Sequence, residues 1–114
     1  MTDTIESLRE RIRTLEHQHK TYTDLQLVYL PILMDDIKSE NLLQIEKHGI
    51  QTKTLEEWVT FTVEELGEVA RAVTDHKYKN KPISAIYWEA ISTATLCLKI
   101  AEMAHTANEI NGDT

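Results

Sequence analysis

Apolar residues recur along this chain at spacings of three and four, the period of an amphipathic helix. In residues 4–20, Ile5, Leu8, Ile12 and Leu15 make an a/d seam two heptads long, flanked by Glu, Arg and Lys. This seam predicts a helix that either pairs in a short coiled coil or lies on the domain's own core. Thr23 and Gln26 have capping-box spacing, which predicts a helix restart near Asp24. Pro31 should kink or break that helix. Ile32, Leu33, Ile37, Leu42, Leu43 and Ile45 carry the helical pattern on to about Lys47, and Gly49 is the expected stop. His48 to Lys53 read as a polar connection.

Thr54 and Glu57 form a clearer capping box and predict a helix from Leu55 to about His76. Its expected core face is Leu55, Val59, Thr62, Leu66, Val69 and Val73. At about 100° per residue, Glu65 and Glu68 fall on one flank of that face, beside Trp58 and Ala72, with Glu64 further round. Lys77-Tyr78-Lys79-Asn80-Lys81 reads as a basic turn, and Pro82 suits the first turn of a last helix ending before Asn111-Gly112. Ile83, Ile86, Ala90, Ala94, Cys97, Ile100, Ala101 and Ala104 form its main stripe; Tyr87, Ile91 and Leu98 add a second apolar side. A helix apolar on two sides is normally buried on two sides, which in so short a chain favours a helix-bundle dimer. The expected fold is an all-α antiparallel helix bundle.

Composition narrows the partners. The 114 residues suit one domain. A net charge of −7 argues against nucleic-acid and anionic-membrane surfaces, which need basic patches. It leaves nucleotides open, because a bound metal inverts local charge. The single cysteine, Cys97, excludes an internal disulfide and fits a reducing, cytoplasmic setting. Placed on the apolar stripe, Cys97 is expected to be a small core residue rather than a nucleophile. The N-terminus is polar and shows no signal peptide. The most apolar run, Leu25 to Met34, is about half a membrane span.

The chemistry concentrates in Glu64-Glu65-Leu66-Gly67-Glu68. Glu64/Glu68 and Glu65/Glu68 are like charges one helical turn apart, each opposing the helix by roughly 0.2–0.5 kcal/mol. Arg71 is the one nearby relief. Glu89 falls inside the apolar arc of the last helix, where an unpaired carboxylate is strongly disfavoured, so it needs a partner. That partner is Lys99, Arg71 or water in a purely structural account. The alternative is that the Glu65/Glu68 flank faces Glu89 across two antiparallel helices and holds Mg²⁺, which completes its shell with substrate phosphates. The histidines (His17, His19, His48, His76, His105) show no zinc spacing, and there is no glycine-rich phosphate loop. Trp58, beside the acidic flank, is either a core residue or a stacking surface for a base.

From Met34 to about Ala104 the chain resembles the MazG-like, all-α nucleoside triphosphate pyrophosphohydrolases. The matching stretches are Asp36-Ile37-Lys38-Ser39-Glu40, Gln44-Ile45-Glu46-Lys47-His48-Gly49, Glu57-Trp58 and Glu64-Glu65-Leu66-Gly67-Glu68-Val69. The family's E-E-x-x-E, spacer, E-x-x-D pattern is met at Glu64, Glu65, Glu68 and Glu89 and departs at Ser92, where aspartate is expected. Residues 1–30 lie outside the resemblance and read as an N-terminal helical extension to a domain of residues 31–114.

The resemblance implies a four-helix core completed by dimerisation or tetramerisation. It also implies Mg²⁺-dependent cleavage of an NTP or dNTP to monophosphate and pyrophosphate. By position, Glu65, Glu68 and Glu89 would ligate metal, with Ser92 in the fourth place, and Glu64 would ligate or orient the attacking water. Lys53, Lys77, Lys79 and Lys81 are candidates for the outer phosphates or simply solvated loop lysines. The other readings are a non-catalytic nucleotide- or metal-binding relative, with Ser92 marking a degraded site, and a helical assembly protein driven by residues 4–20.

Overall fold

The structure, a computed structural model, describes residues 2–50 and 53–111. Among these the chain is helical with no strand: α1 (Thr2–Asp24), a π-helical stretch (Leu25–Tyr29), α2 (Leu30–His48), α3 (Leu55–Lys79) and α4 (Ser84–Asn111). Gln51 and Thr52, in the expected polar connection, lie outside the described residues. No helix among the described residues is long and apolar enough to cross a membrane. The chain divides into two compact units, Met1–Asp35 and Asp36–Thr114.

The first unit departs from expectation at Asp24. No new helix starts there: Asp24 keeps right-handed helical angles and its side chain caps nothing. Thr23 and Gln26 have capping-box spacing by coincidence. Pro31 does not break the chain either, and lies inside α2 as its second residue. A proline ring clashes with the carbonyl four residues back and removes one ladder hydrogen bond. The turn before Pro31 is widened to the π form, in which the Leu30 N–H donates to Leu25 O. The widened turn relieves the clash without a stop.

In the second unit the stop at Gly49 and the start at Thr54 are as expected. Gly49 ends α2 with φ +79°, and its N–H donates to Ile45 O at 2.8 Å. The Thr54/Glu57 capping box is formed in both directions: the Glu57 N–H donates to Thr54 Oγ1 at 3.2 Å, and the Thr54 N–H to Glu57 Oε1 at 3.2 Å. Thr54→Ala should therefore lower unfolding stability by about 1 kcal/mol in a denaturant melt; an unchanged midpoint would mean that α3 is held elsewhere. α3 runs on to Lys79, so most of the expected basic turn is helical, and left-handed Asn80 (φ 55°) ends it. Pro82 precedes α4 rather than lying in it, its carbonyl accepting from the Ala85 N–H at 3.2 Å.

α3 and α4 form an antiparallel hairpin, with Trp58 near Lys99, Glu65 near Glu89, and Asp75 near Pro82 and Ala85. The α2 side chains reach α4: Tyr87 donates to Asp36, Ser92 to Glu40 at 3.4 Å and Lys99 to Asn41 Oδ1 at 2.7 Å. Among the described residues the buried ones are Trp58, Ala72, Ile91, Thr95, Leu96 and Lys99. Ile91 belongs to the expected second apolar side of α4, but the main expected faces are not the ones covered. On α3 the flank of Trp58 and Ala72 packs inward, while Leu55, Val59, Leu66 and Val73 stay exposed. On α4 the inward line is Ile91, Thr95 and Lys99, while Ile83, Ala90, Ala94, Cys97, Ala101 and Ala104 are exposed. Cys97 is thus a surface residue, not a core one. The physical reason is size. The indole of Trp58 buries more surface than the valines of the stripe, and it takes the hairpin interface.

Candidate functional site

The acidic run lies on α3 at the edge of this interface. Glu65 is half-buried, and its carboxyl lies within hydrogen-bonding reach of Glu89 on α4. Burial pushes the Glu65 carboxyl above its ordinary value of 4.5, and the nearby charges of Glu89, Glu68 and Glu40 push it further. Neither Lys99 nor Arg71 relieves the cluster. Lys99 is turned away, buried against Asn41 with its ammonium 5.8 Å from the Trp58 ring centroid. Among the described residues, Glu40, Glu65, Glu68 and Glu89 have no ion pair to lysine or arginine.

Two clefts flank the Glu65–Glu89 pair. The larger, about 620 Å³, is lined by residues including Glu40, Gln44, Lys53, Trp58, Glu65 and Ser92. Phe61 also borders it, edge-on to Trp58 at 6.2 Å, with the Lys53 ammonium 5.0 Å from its centroid. The smaller, about 350 Å³, is lined by Glu68, Arg71, Asp75, Lys81 and Glu89 among others. Of the candidate lysines, Lys53 and Lys81 border clefts. Lys77 lies over Tyr78 at 5.1 Å, and Lys79 pairs with Asp75 at 3.6 Å. Glu64 is exposed and lines neither cleft.

Glu40, absent from the acidic motif, is the residue that motif reading missed. Its Oε1 accepts from Ser92 Oγ at 3.4 Å and from Gln44 Nε2 at 3.2 Å. Its signal in the sequence is the i,i+4 pair Glu40/Gln44 on one face of α2. Inside the same cleft wall, Trp58 Nε1 and Gln44 Oε1 are buried without a hydrogen-bond partner, one donor and one acceptor. Trp58 is only 5% exposed, so its role is edge and wall rather than an open stacking platform.

The donor set allows a test of fit to Mg²⁺. Among the described residues no three His, Cys, Asp or Glu side chains converge as a ready metal cage. Two carboxylates without cations do converge, at Glu65 and Glu89. Mg²⁺ is commonly held by one or two carboxylates with water and phosphate oxygens completing six positions. The residues fit that mode and do not fit an all-protein cage.

The raised Glu65 carboxyl has a stability consequence. In the folded chain it binds its proton more tightly than in the unfolded chain. From 4.5 upward to the raised value, the folded state therefore carries more protons, and stability falls as pH rises. In chelator, melts across this window should show the decline in wild type and a shallower one in Glu65→Gln. Parallel curves would place the strain elsewhere.

Compared with protein-family models, with curated proteins and with solved structures, the chain matches none.

Proposed function

We propose that the chain is a Mg²⁺-dependent nucleoside triphosphate pyrophosphohydrolase of the MazG-like kind, cleaving NTP or dNTP to monophosphate and pyrophosphate. The observation that carries the reading is the meeting of Glu65 and Glu89, two carboxylates from facing helices with no cationic partner, at the wall of a nucleotide-sized cleft. When bound, Mg²⁺ supplies charge neutralisation for the phosphates. Glu65 and Glu89 hold it, with Glu68 beside them. Lys53, which borders the larger cleft, meets outer phosphate oxygens; Lys81, at the opposite end of α3, borders the smaller cleft. The Trp58 indole and the Gln44 side chain wall the cleft.

Hydrolysis of the phosphoanhydride then requires an aligned water and an acceptor for its proton. For that task Glu40 is better placed than Glu64, because it lines the cleft and its Oε1 is fixed by two hydrogen bonds. Ser92, standing where the family pattern has aspartate, donates to Glu40. Glu40 thus returns to the site the carboxylate that Ser92 lacks.

The working form is a homodimer or homotetramer in the cytoplasm. Its support is the uncovered apolar stripe on α3 and the exposed main stripe of α4, which together ask for a second hairpin to complete a four-helix core. One observation favours a second reading, a non-catalytic nucleotide- or metal-binding relative: the neutral Ser92 itself. Incubation with Mg²⁺ and a panel of NTPs and dNTPs decides between the two. Release of pyrophosphate supports the enzyme; metal-dependent nucleotide binding without turnover supports the relative.

A further inference from the structure

We propose that α1 pairs with the α1 of a second copy of this chain as a short, parallel, two-stranded coiled coil. The described α1 residues 4–22 are all exposed, among them Ile5 (54%), Leu8 (49%), Ile12 (54%), Leu15 (62%) and Tyr22 (64%). Within its own compact unit no other element covers them. Lys20 pairs with Asp24 at 2.8 Å on the exposed surface of this helix, where an ion pair adds little stability. Helices draw most of their stability from a packed apolar face, so α1 needs an occupant for this seam.

The residues specify that occupant. With Ile5 at a, the a positions are Ile5, Ile12 and His19, and the d positions are Leu8, Leu15 and Tyr22. In a parallel coiled coil, isoleucine at a with leucine at d favours two strands. Arg11 falls at g and Glu16 at the following e, the positions that meet across a parallel dimer, so one copy's Arg11 faces the other's Glu16 twice by symmetry. The outward b, c and f positions are all polar: Glu6, Arg13 and Lys20, then Ser7, Thr14 and Thr21, then Glu10 and His17. Acidic and basic residues are interspersed round the helix, unlike the strongly basic polar face of a membrane-surface helix. The π-helical stretch at Leu25–Tyr29 shifts the angular phase of later residues and ends the seam after Tyr22. This pairing is independent of the hydrolase reading and adds a second interface to the one proposed for α3 and α4.

The test uses the full chain in a Cys97→Ala background, so that the exposed native thiol does not interfere. Leu8→Cys or Leu15→Cys is introduced at the seam and Glu10→Cys on the outer face. After mild oxidation, the seam variants should run as disulfide-linked dimers on a non-reducing gel and Glu10→Cys as monomer. Adding Arg11→Glu should cut the cross-linked fraction, and adding Glu16→Arg as well should restore it. Two seam positions are used so that poor folding of one variant leaves the other. An absence of cross-links at both seam cysteines in folded protein overturns the proposal, as an antiparallel pairing or a different occupant would produce. Equal cross-linking at Glu10→Cys overturns it as well.

Discussion

Glu89→Gln should lower Mg²⁺-dependent pyrophosphate release by about 10²-fold or more and remove most of the rise in melting temperature that Mg²⁺ gives the wild type. The two effects share one cause. Among the described residues Glu65 and Glu89 have no ion pair to lysine or arginine, so the metal-free fold carries their repulsion. A cation bound to the folded form alone stabilises it by mass action, about 2.7 kcal/mol at 100 times Kd, on the order of 10 °C for a chain of this size. Glutamine removes one charge and keeps the shape. The metal-free variant should therefore melt at or above wild type, while its response to Mg²⁺ shrinks. Ser92→Asp should act in the opposite sense. It adds a charge beside Glu40, lowering metal-free stability and tightening Mg²⁺ binding. Equal Mg²⁺ responses in wild type, Glu89→Gln and Ser92→Asp would remove the metal from this pair.

On the proposed pairing of α3 with a second copy, Val59→Asp with Leu66→Asp should leave the chain monomeric and lower its melting temperature. Leu55 (42%), Val59 (49%), Val63 (62%), Leu66 (57%) and Val73 (47%) make a continuous exposed stripe along α3. Covering such side chains with a second copy contributes about 1.5–3 kcal/mol for each one fully buried, and aspartate in the same place leaves a charge in the interface. Light scattering checks the mass; a wild-type chain that stays monomeric at micromolar concentration would contradict the prediction.

The sequence was most readable where a single residue type decides the backbone. Gly49, the Thr54/Glu57 box and the long apolar periods foretold where α2 stops, where α3 starts and that α3 and α4 are helical. It was least readable where two physical solutions share one pattern. Proline inside a helical pattern predicts a kink or a break, and of the two the break is absent: a π turn precedes Pro31 and the helix continues. Periodicity shows that α3 and α4 each have apolar faces, but not which face this chain covers. Trp58 and the buried Lys99 settled that by bulk and by partners at Asn41, which no angular count includes.

The site divides in the same way. The meeting of Glu65 and Glu89 was legible because both lie at angles that converge across a hairpin. Glu40 was not, because it stands in no acidic run and enters the cleft from α2 through Ser92 and Gln44. Glu64 belongs to the run but is turned outward, since consecutive helical residues differ by about 100°.

The most direct test of the central claim is phosphorus NMR of the products formed from Mg²⁺-nucleoside triphosphates by the purified full-length chain. Cleavage between the α and β phosphates predicts monophosphate and pyrophosphate in equal amounts, and loss of both signals in Glu89→Gln. Diphosphate with inorganic phosphate, or no product from any NTP or dNTP by folded protein, would contradict it.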